Sequence, residues 1–313
     1  MKNRTTALWV TRRLLLAVLV VLGAATAAFL GMELTPGDPV RTLLGTAPTT
    51  PALTEQIRAE LGFDRPLYVR YGLFLGRVLT GDLGSSYQLE ESVWHLITSQ
   101  LLSTVVLAVT GFLLALVGAV LLAGSTAGGR RLPRRIAAAF ELLTISAPGF
   151  WVGVLLLTVF SFQLRIFPAA GGDGLSGLVL PAVTLALSMV GTFSQVLREA
   201  MERSLEEPFA LSARSRGTGL AGLRFRHALR HGLVPLVTLS GWTLGALLGG
   251  AVVIETVFSR PGLGRVLATA IISRDLPVVT GVVVVSAASF ALISLVVDGL
   301  YRVVDPRLRE TRA

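Results

Sequence analysis

Hydrophobic residues in this chain cluster into six long runs that contain no charged side chain. Each run holds about 20 largely apolar residues, the length that a helix needs to cross the hydrocarbon core of a bilayer. Backbone groups inside lipid must be paired within their own segment, so each run is predicted to be helical. The six predicted spans are Leu14–Met32, Leu101–Gly124, Leu142–Leu164, Leu178–Leu197, Gly232–Ile254 and Val278–Val297.

Three prolines indicate kinks in the predicted spans, and an arginine pair before the first span suggests an alternative interpretation of that span. Pro148, Pro181 and Pro235 lie within or near spans, and kinks are expected there because neighbouring groups can satisfy the freed carbonyls. Thr11-Arg12-Arg13 ahead of the first run is also typical of a signal peptide. The five further runs favour a retained first span over a cleaved one.

Composition and charge support an integral membrane protein. Of the 313 residues, 52% are hydrophobic and only 15% are charged, whereas a soluble domain carries about 25% charged residues. There is no cysteine, which excludes a disulfide framework and any cysteine-based metal, haem or iron–sulfur site. Basic residues are concentrated in the N-terminal tail, in the loops after spans two and four, and in the C-terminal tail. The positive-inside rule therefore predicts that both termini are cytoplasmic.

The net charge of +9 is thus a signal of topology. No basic patch interleaved with aromatic residues is present, and a nucleic-acid partner is not predicted.

The segment after the first span is too long for a simple connection. Leu34–Pro39 carries turn residues, Thr54–Leu61 is predicted to be a short helix capped by Thr54, and Tyr68–Thr80 a second helix that ends at Gly81–Gly84. These elements predict a small external subdomain. It is either a packed cap on the membrane domain or a docking surface for an external partner.

The connection between spans four and five is predicted to be a helix–glycine–helix elbow. Ser204 and Glu207 form a capping-box pattern, and Pro208 falls in the first helical turn. Arg216–Gly219 breaks that helix, and Leu220–Arg230 forms a second helical stretch that runs into span five. The elbow either lies on anionic lipid or docks a cytoplasmic protein.

Several stretches resemble one family of transport proteins. Phe209–Gly217, Arg226–Arg230 and Leu233–Thr238 are similar to the EAA loop of ABC-importer permeases, specifically the first permease subunit of the dipeptide/oligopeptide/nickel family. The other matching stretches are Leu34–Pro39, Leu61–Pro66, Gly81–Gly84, Glu255–Phe258 with Pro261–Arg265, and Asp298–Tyr301 with Asp305–Arg307. The resemblance covers the chain from about Val10 to Arg309.

The resemblance implies an all-α, type I ABC importer permease fold with six transmembrane helices. Its parts would be the N-terminal tail and first helix (1–32), the extracytoplasmic subdomain (33–98), the permease domain (99–304) with a coupling elbow (204–231), and a cytoplasmic tail (305–313).

The resemblance also implies that the elbow contacts an ATPase subunit. Gly217 would be the EAA glycine that permits the turn, and Ala213 would match the third motif position. Leu211 stands where other importers often have Glu, so coupling would rest on Arg214, Arg216 and packing. The residues expected to couple to the ATPase are Ala210, Leu211, Ala213, Arg214, Arg216, Gly217, Leu220, His227 and Arg230.

The chain contains no motif for catalysis or nucleotide binding. There is no phosphate-binding loop and no nucleophile elbow, and the three histidines lie outside the spans. No enzyme activity, metal site or cofactor is therefore expected in this chain, and ATP with magnesium is expected on partner ATPase subunits.

Polar residues in and near the spans are candidates for transport. Ser188, Thr192, Gln195, Ser240 and Thr243 could line a translocation path, although hydroxyls in spans also act as interhelical contacts. Glu255, Pro261, Gly262 and Gly264 are candidates for gating or for receptor contact, and Glu255 could equally anchor a helix end. Glu141 is predicted to be an interfacial partner of Arg134 or Arg135.

We therefore expect a permease subunit of an ATP-driven, binding-protein-dependent importer of di- or oligopeptides in the bacterial inner membrane. Nickel chelate, glutathione or sugar are alternative substrates, and a stand-alone secondary transporter or a membrane scaffold is a remote alternative. The implied partners are a second homologous permease, one or two cytoplasmic ATPases, an extracytoplasmic binding protein and membrane lipid.

Overall fold

The computed structural model describes residues 2–44, 50–171 and 174–304, which form helices joined by turns and one isolated β-bridge between Ser85 and Ser92. The predicted tail, 305–313, lies outside the described residues. The helices are α1 (Lys2–Leu34), α2 (Pro39–Leu44), α3 (Pro51–Glu60), α4 (Leu67–Thr80), α5 (Val93–Thr126), α6 (Arg131–Ser146), α7 (Gly149–Leu156), α8 (Ser176–Leu205), α9 (Pro208–Ser215), α10 (Leu220–Gly222), α11 (Leu229–Val257), α12 (Leu263–Ile272) and α13 (Leu276–Val304). A π-helical segment, Leu157–Gln163, continues α7, and a second one, Leu223–Ala228, joins α10 to α11.

Four of the described helices are long and apolar enough to cross a membrane. They are α1, α5, α8 and α13, and two bent helix pairs raise the possible number of spans to six. Predicted spans one, two, four and six each lie inside one of these four helices. The sequence pattern therefore identifies these helices directly.

The third predicted span is not one straight helix. The predicted span, Leu142–Leu164, takes in the last residues of α6 and all of α7 with its π-helical continuation, and these two helices are inclined by 105°. Ala147 adopts an extended conformation with ψ 128°, and Pro148 precedes the first residue of α7. A residue before proline is disfavoured in the helical region, and proline cannot donate the next helical hydrogen bond. The break is therefore a local consequence of this dipeptide.

The fifth predicted span lies within α11. Leu220–Leu244 and Gly249–Val257 are inclined by 65°, in a part of the chain where several glycines weaken helical rigidity. Pro235 lies inside α11 and Pro181 inside α8, and both helices continue through them. Of the three prolines singled out by sequence, Pro148 alone separates two described helices.

The chain divides into two compact units, Met1–Leu102 with Pro261–Leu292 and Ser103–Arg260 with Ile293–Ala313. In the second unit, fully buried alanines repeat every four residues along α5 and at the residue directly after it, and a Cβ placed on Gly111 would lie 2.8 Å from the Leu185 Cβ of α8. Small residues therefore allow close helix packing there. The stripe consists of Ala115, Ala119, Ala123 and Ala127.

The segment predicted to be an external subdomain belongs to the first unit and packs on α1. Phe29 stacks on Phe74 with centroids 5.2 Å apart, and the Tyr71 hydroxyl lies 2.8 Å from the Thr26 hydroxyl. The predicted start of the short helix at Thr54 is wrong. The Thr50 hydroxyl accepts from the Leu53 amide, so α3 begins earlier, at a favoured first-position proline.

Candidate functional site

The first helix of the elbow, α9, begins at Pro208, as the sequence predicts, but the predicted capping box is wrong. Glu207 is the N-cap residue and makes no side-chain capping bond. Ser204 still belongs to α8, where its buried hydroxyl has no hydrogen-bond partner among the described residues. Because α8 runs on to Leu205, only two residues separate it from α9.

A left-handed glycine closes α9. Gly217 has φ +81°, its amide donates to Arg214 O at 2.9 Å, and the Thr218 amide donates to Ala213 O at 3.1 Å. These bonds satisfy the last carbonyls of the helix. A Cβ placed on Gly217 would meet no atom within 4 Å, so the requirement for glycine is conformational and not steric.

The elbow has an inward and an outward face. Ala210 and Ala213 are buried within the unit, where they fix α9 in place. Leu211 is 70% exposed and Leu220 is 41% exposed. Arg214, Arg216, Gly217 and Arg230 are also exposed. The outward residues combine apolar side chains with guanidinium groups, which suits contact with a protein that carries carboxylates and apolar surface.

Aromatic contacts hold the two elbow helices together. The Phe209 ring stacks on the His231 ring with centroids 5.3 Å apart, and it lies 6.2 Å from the half-buried His227 ring. His227, a predicted coupling residue, is thus in contact with α9 through Phe209.

Arg224 anchors the second elbow helix and was not singled out by sequence. Its Nε donates to Ala127 O at 2.5 Å and its Nη1 to Ser125 O at 3.0 Å, at the C-terminal end of α5. A cation is favoured at this end because the last carbonyls of a helix carry negative partial charge. Phe225 covers Gly124, whose added Cβ would lie 2.6 Å from the ring. The elbow is therefore attached to α5 as well as to α8 and α11.

A buried ion pair connects α6 to α8, and it corrects the predicted partner of Glu141. Arg198 donates to both carboxylate oxygens of Glu141, and the Ser194 hydroxyl donates to Oε1 at 2.6 Å. Glu141 is 2% exposed and Arg198 is 8% exposed. Arg134 instead pairs with Glu202 at 2.8 Å on the exposed side. A partner on another helix cannot be inferred from spacing within α6.

The same two helices touch directly beside the ion pair. A Cβ placed on Gly191 would lie 2.2 Å from Thr144 Oγ1 and 2.7 Å from Glu141 O. Together with the Glu141–Arg198 and Arg134–Glu202 ion pairs, this contact joins α6 to α8 at three positions along the two helices. The helix that leads into the elbow is therefore firmly attached to α6, and α6 ends at the bend before Pro148.

The predicted path residues lie on α8 and α11. Ser188 and Gln195 are exposed in the isolated chain, Thr192 and Ser240 are half-buried, and Thr243 is buried. The hydroxyls of Ser188, Ser240 and Thr243 donate to carbonyls one turn earlier in their own helices. Each of these hydroxyls retains acceptor capacity.

Glu255 is fully buried near the end of α11. The Thr104 hydroxyl donates to its Oε1 at 2.6 Å. Burial lowers the pKa of the nearby Arg260 guanidinium, and the negative charge of Glu255 opposes that change. A carboxylate held in this way offers no surface to a partner in this conformation.

Pro261, Gly262 and Gly264 belong to the first unit, and Glu255 belongs to the second. Pro261 and Gly262 line a cavity of about 430 Å³ together with Gln88 and Asp275, and Gly264 is buried at the start of α12.

Asp275 organises the loop that borders this cavity. Its carboxylate accepts from the Ser86 hydroxyl and from the amides of Tyr87, Gln88 and Val278 at 3.2–3.4 Å. Sequence reasoning did not find this residue, because its four donors come mostly from a segment nearly 190 positions away.

Comparison with known proteins identifies the family. Residues 115–310 match the family described as binding-protein-dependent transport system inner membrane component, and residues 7–108 match the N-terminal family of the same transport systems. The chain belongs to this family. It is a multi-pass permease subunit of a binding-protein-dependent ABC importer in the inner membrane.

Relatives of this permease are similar over nearly their whole length. The chain is 34% identical to the glutathione transport system permease protein GsiC of Salmonella choleraesuis over 302 residues, which cover 96% of this chain and 98% of the relative. It is 36% identical to a putative peptide transport system permease protein of Brucella abortus over 309 residues, with the same coverage.

Solved transporter structures share the fold of this permease. The MetNI methionine ABC transporter in an inward-facing conformation aligns with a TM-score of 0.51 at 22% identity, over 68% of this chain and 94% of that one. An amino acid ABC transporter aligns with a TM-score of 0.50 at 15% identity and the same coverage. The predicted type I ABC importer permease fold is confirmed.

Proposed function

We propose that the elbow of this permease is the docking site for a cytoplasmic ATPase subunit, on which ATP and magnesium would bind. The observation that carries the proposal is the outward face of α9, where Leu211, Arg214 and Arg216 are exposed next to a glycine-closed turn. Surfaces that combine arginine with apolar side chains are typical of protein interfaces. This chain would bind no cofactor itself.

A movement of the elbow would reach the membrane helices through α8. Only two residues separate α9 from α8, and α6 is attached to α8 through the buried Glu141–Arg198 pair. ATP-driven closure of two docked ATPases would thus rotate α8 and α6 together and open the path alternately to each side. The path would lie between this chain and a second homologous permease. Six spans, with both termini and the tail 305–313 in the cytoplasm, are consistent with this arrangement.

The substrate that we propose is a di- or oligopeptide delivered by an extracytoplasmic binding protein. Relatives are named as peptide and glutathione permeases. Within the described ranges there is no group of three or more His, Cys, Asp or Glu residues that could hold a metal ion, which favours an organic substrate over a bare metal. The hydroxyls of Ser188, Thr192 and Ser240, with Gln195, would contact peptide groups. Nickel chelate and sugar remain alternatives within the same importer class.

Affinity purification of the chain in mild detergent, followed by mass spectrometry, tests the assembly. Recovery of a second permease and an ATPase is expected. A chain that is recovered alone or only as a homo-oligomer would contradict the proposal.

Substitution of the outward arginines tests the elbow itself. Arg214→Ala with Arg216→Ala should reduce ATPase recovery at least tenfold, while the control Arg130→Ala, at an exposed arginine outside the elbow, should leave it unchanged. Equal recovery by the elbow variant and the control would remove the elbow from the interface.

We also propose that Glu255, whose buried carboxylate accepts from the Thr104 hydroxyl, has a role in gating. The variant Glu255→Gln tests this role. It should impair the ATPase rate stimulated by the binding protein, because the buried site loses its charge. The control Thr256→Val changes an exposed neighbour that donates only to its own helix. An unchanged stimulated rate in Glu255→Gln would leave Glu255 as a helix anchor.

A further inference from the structure

A second, smaller cavity in the first unit is lined by basic and aromatic residues. It has a volume of about 240 Å³. Its wall contains apolar side chains, among them Phe29 of α1 and Phe74 of α4, and polar side chains, among them Arg65, Arg77 and Tyr87. A cavity with this wall suits a ligand that has both an anionic group and a hydrocarbon part.

The positive charge of this cavity is only partly neutralised. Arg70, which also lines it, donates to both carboxylate oxygens of Glu33 and lies over the Phe63 ring. Glu60 is the acidic residue in the wall, and it accepts from Gln56 at 2.9 Å. Arg65 and Arg77 form no ion pair with any residue that the structure describes. Two guanidinium groups are therefore available to an anion.

Tyr87 adds a neutral hydrogen-bond donor to the same wall. Burial raises the pKa of the Tyr87 phenol, and the positive charges of Arg77 and Arg70 oppose that rise. The phenol therefore keeps its proton at physiological pH. An anion in the cavity can thus receive a hydroxyl hydrogen bond in addition to guanidinium bonds.

The cavity lies near the ends of two helices that are long and apolar enough to cross a membrane. Phe29 precedes the end of α1 at Leu34 by five residues, and Thr280, also in its lining, follows the start of α13 at Leu276 by four. At about 1.5 Å per residue, these residues lie roughly 6–8 Å from the helix ends. Because a membrane-spanning helix ends close to the polar headgroup region, a lipid headgroup is a ligand within reach of this cavity.

We propose that this cavity binds the phosphate headgroup of an anionic phospholipid. The phosphate diester accepts from Arg65, Arg77 and the Tyr87 hydroxyl, and an acyl chain lies along Leu73 and Phe74. The exposed Leu67, seven residues before Phe74 on α4, extends the apolar surface along the same helix face.

Thermal unfolding of the full-length chain in detergent tests this site. Added dioleoylphosphatidylglycerol should raise the melting temperature, and dioleoylphosphatidylcholine should raise it by less than half as much. Arg65→Gln with Arg77→Gln should abolish the difference between the two lipids. The matched control Arg41→Gln changes an exposed arginine outside the cavity and should keep that difference.

Native mass spectrometry gives a second readout that does not depend on stability. The wild-type chain should retain one phosphatidylglycerol that the double variant loses, and Tyr87→Phe should weaken retention several-fold. Equal shifts for both lipids, or equal retention by wild type and double variant, would overturn the proposal. An equal shift with inorganic phosphate alone would overturn the assignment to lipid.

Discussion

Replacing Glu141 by glutamine should destabilise this permease by about 3–5 kcal/mol. Arg198 would keep its charge in a site where its side chain is 10% exposed and that of residue 141 only 3% exposed. Loss of one partner from a buried ion pair typically costs this amount, because the remaining charge is neither hydrated nor compensated. The glutamine can still accept one hydrogen bond, but it supplies no negative charge.

The same two helices provide the control. Glu202→Gln removes the Arg134–Glu202 pair, in which the Arg134 side chain is 55% exposed. An ion pair that is open to solvent contributes about 1 kcal/mol or less, so this variant should unfold almost like wild type. The double variant Glu141→Gln with Arg198→Gln removes both buried charges and should recover most of the loss of the single variant.

Unfolding of the purified chain in mixed micelles, followed by tryptophan fluorescence during a denaturant titration, measures these differences. The expected order of stability is wild type and Glu202→Gln together, then the double variant, then Glu141→Gln. A loss below 1 kcal/mol for Glu141→Gln, or a loss equal to that of Glu202→Gln, would refute the view that the buried pair holds α6 to α8.

Three further predictions concern backbone and topology. Gly217→Ala should lower the free energy of unfolding by about 1–2 kcal/mol, because alanine is strained in the left-handed conformation, and it should also lower ATP-driven uptake. Gly219→Ala, at φ −67°, should leave uptake unchanged. Equal uptake by the two variants would show that the turn at Gly217 is not needed for coupling. Gly191→Ala should lower the free energy of unfolding, measured by denaturant titration, by about 1–3 kcal/mol because its Cβ would overlap α6. Gly23→Ala, whose Cβ would meet no atom within 4 Å, should leave the free energy of unfolding unchanged. Similar losses of stability in the two variants would refute the close contact at Gly191. A protease-cleavable tag at Gln88 should be cut from outside intact cells, and protection would contradict the proposed topology.

Much of the fold follows from local properties of the sequence. An apolar run of about 20 residues has few structural solutions in lipid, and four predicted spans are single helices. Proline at the start of α9 and glycine at its end act through their own backbone preferences. Such preferences can be recognised without knowledge of any neighbour.

Features that depend on tertiary contacts were not predictable in this way. Arg198 directly follows the predicted fourth span, Leu178–Leu197, so the sequence pattern places it in the basic connection after that span. In the structure, α8 extends past Arg198, and Arg198 is buried in an ion pair with Glu141 of α6. Asp275 draws its donors from a distant loop. The size of the bend at Pro148 depends on how α6 and α7 pack, since proline alone fixes only that a bend is favourable.

The Glu141–Arg198 pair also constrains how the chain is made. The two residues are 57 positions apart, and at about 5–20 residues per second the ribosome adds Arg198 roughly 3–11 seconds after Glu141. During that interval, the Glu141 carboxylate of α6 would have no partner, and an unpaired charge makes insertion of a helix into the bilayer less favourable. We therefore expect α6 to remain at the membrane surface until α8 has been synthesised, and the two helices to insert into the bilayer together.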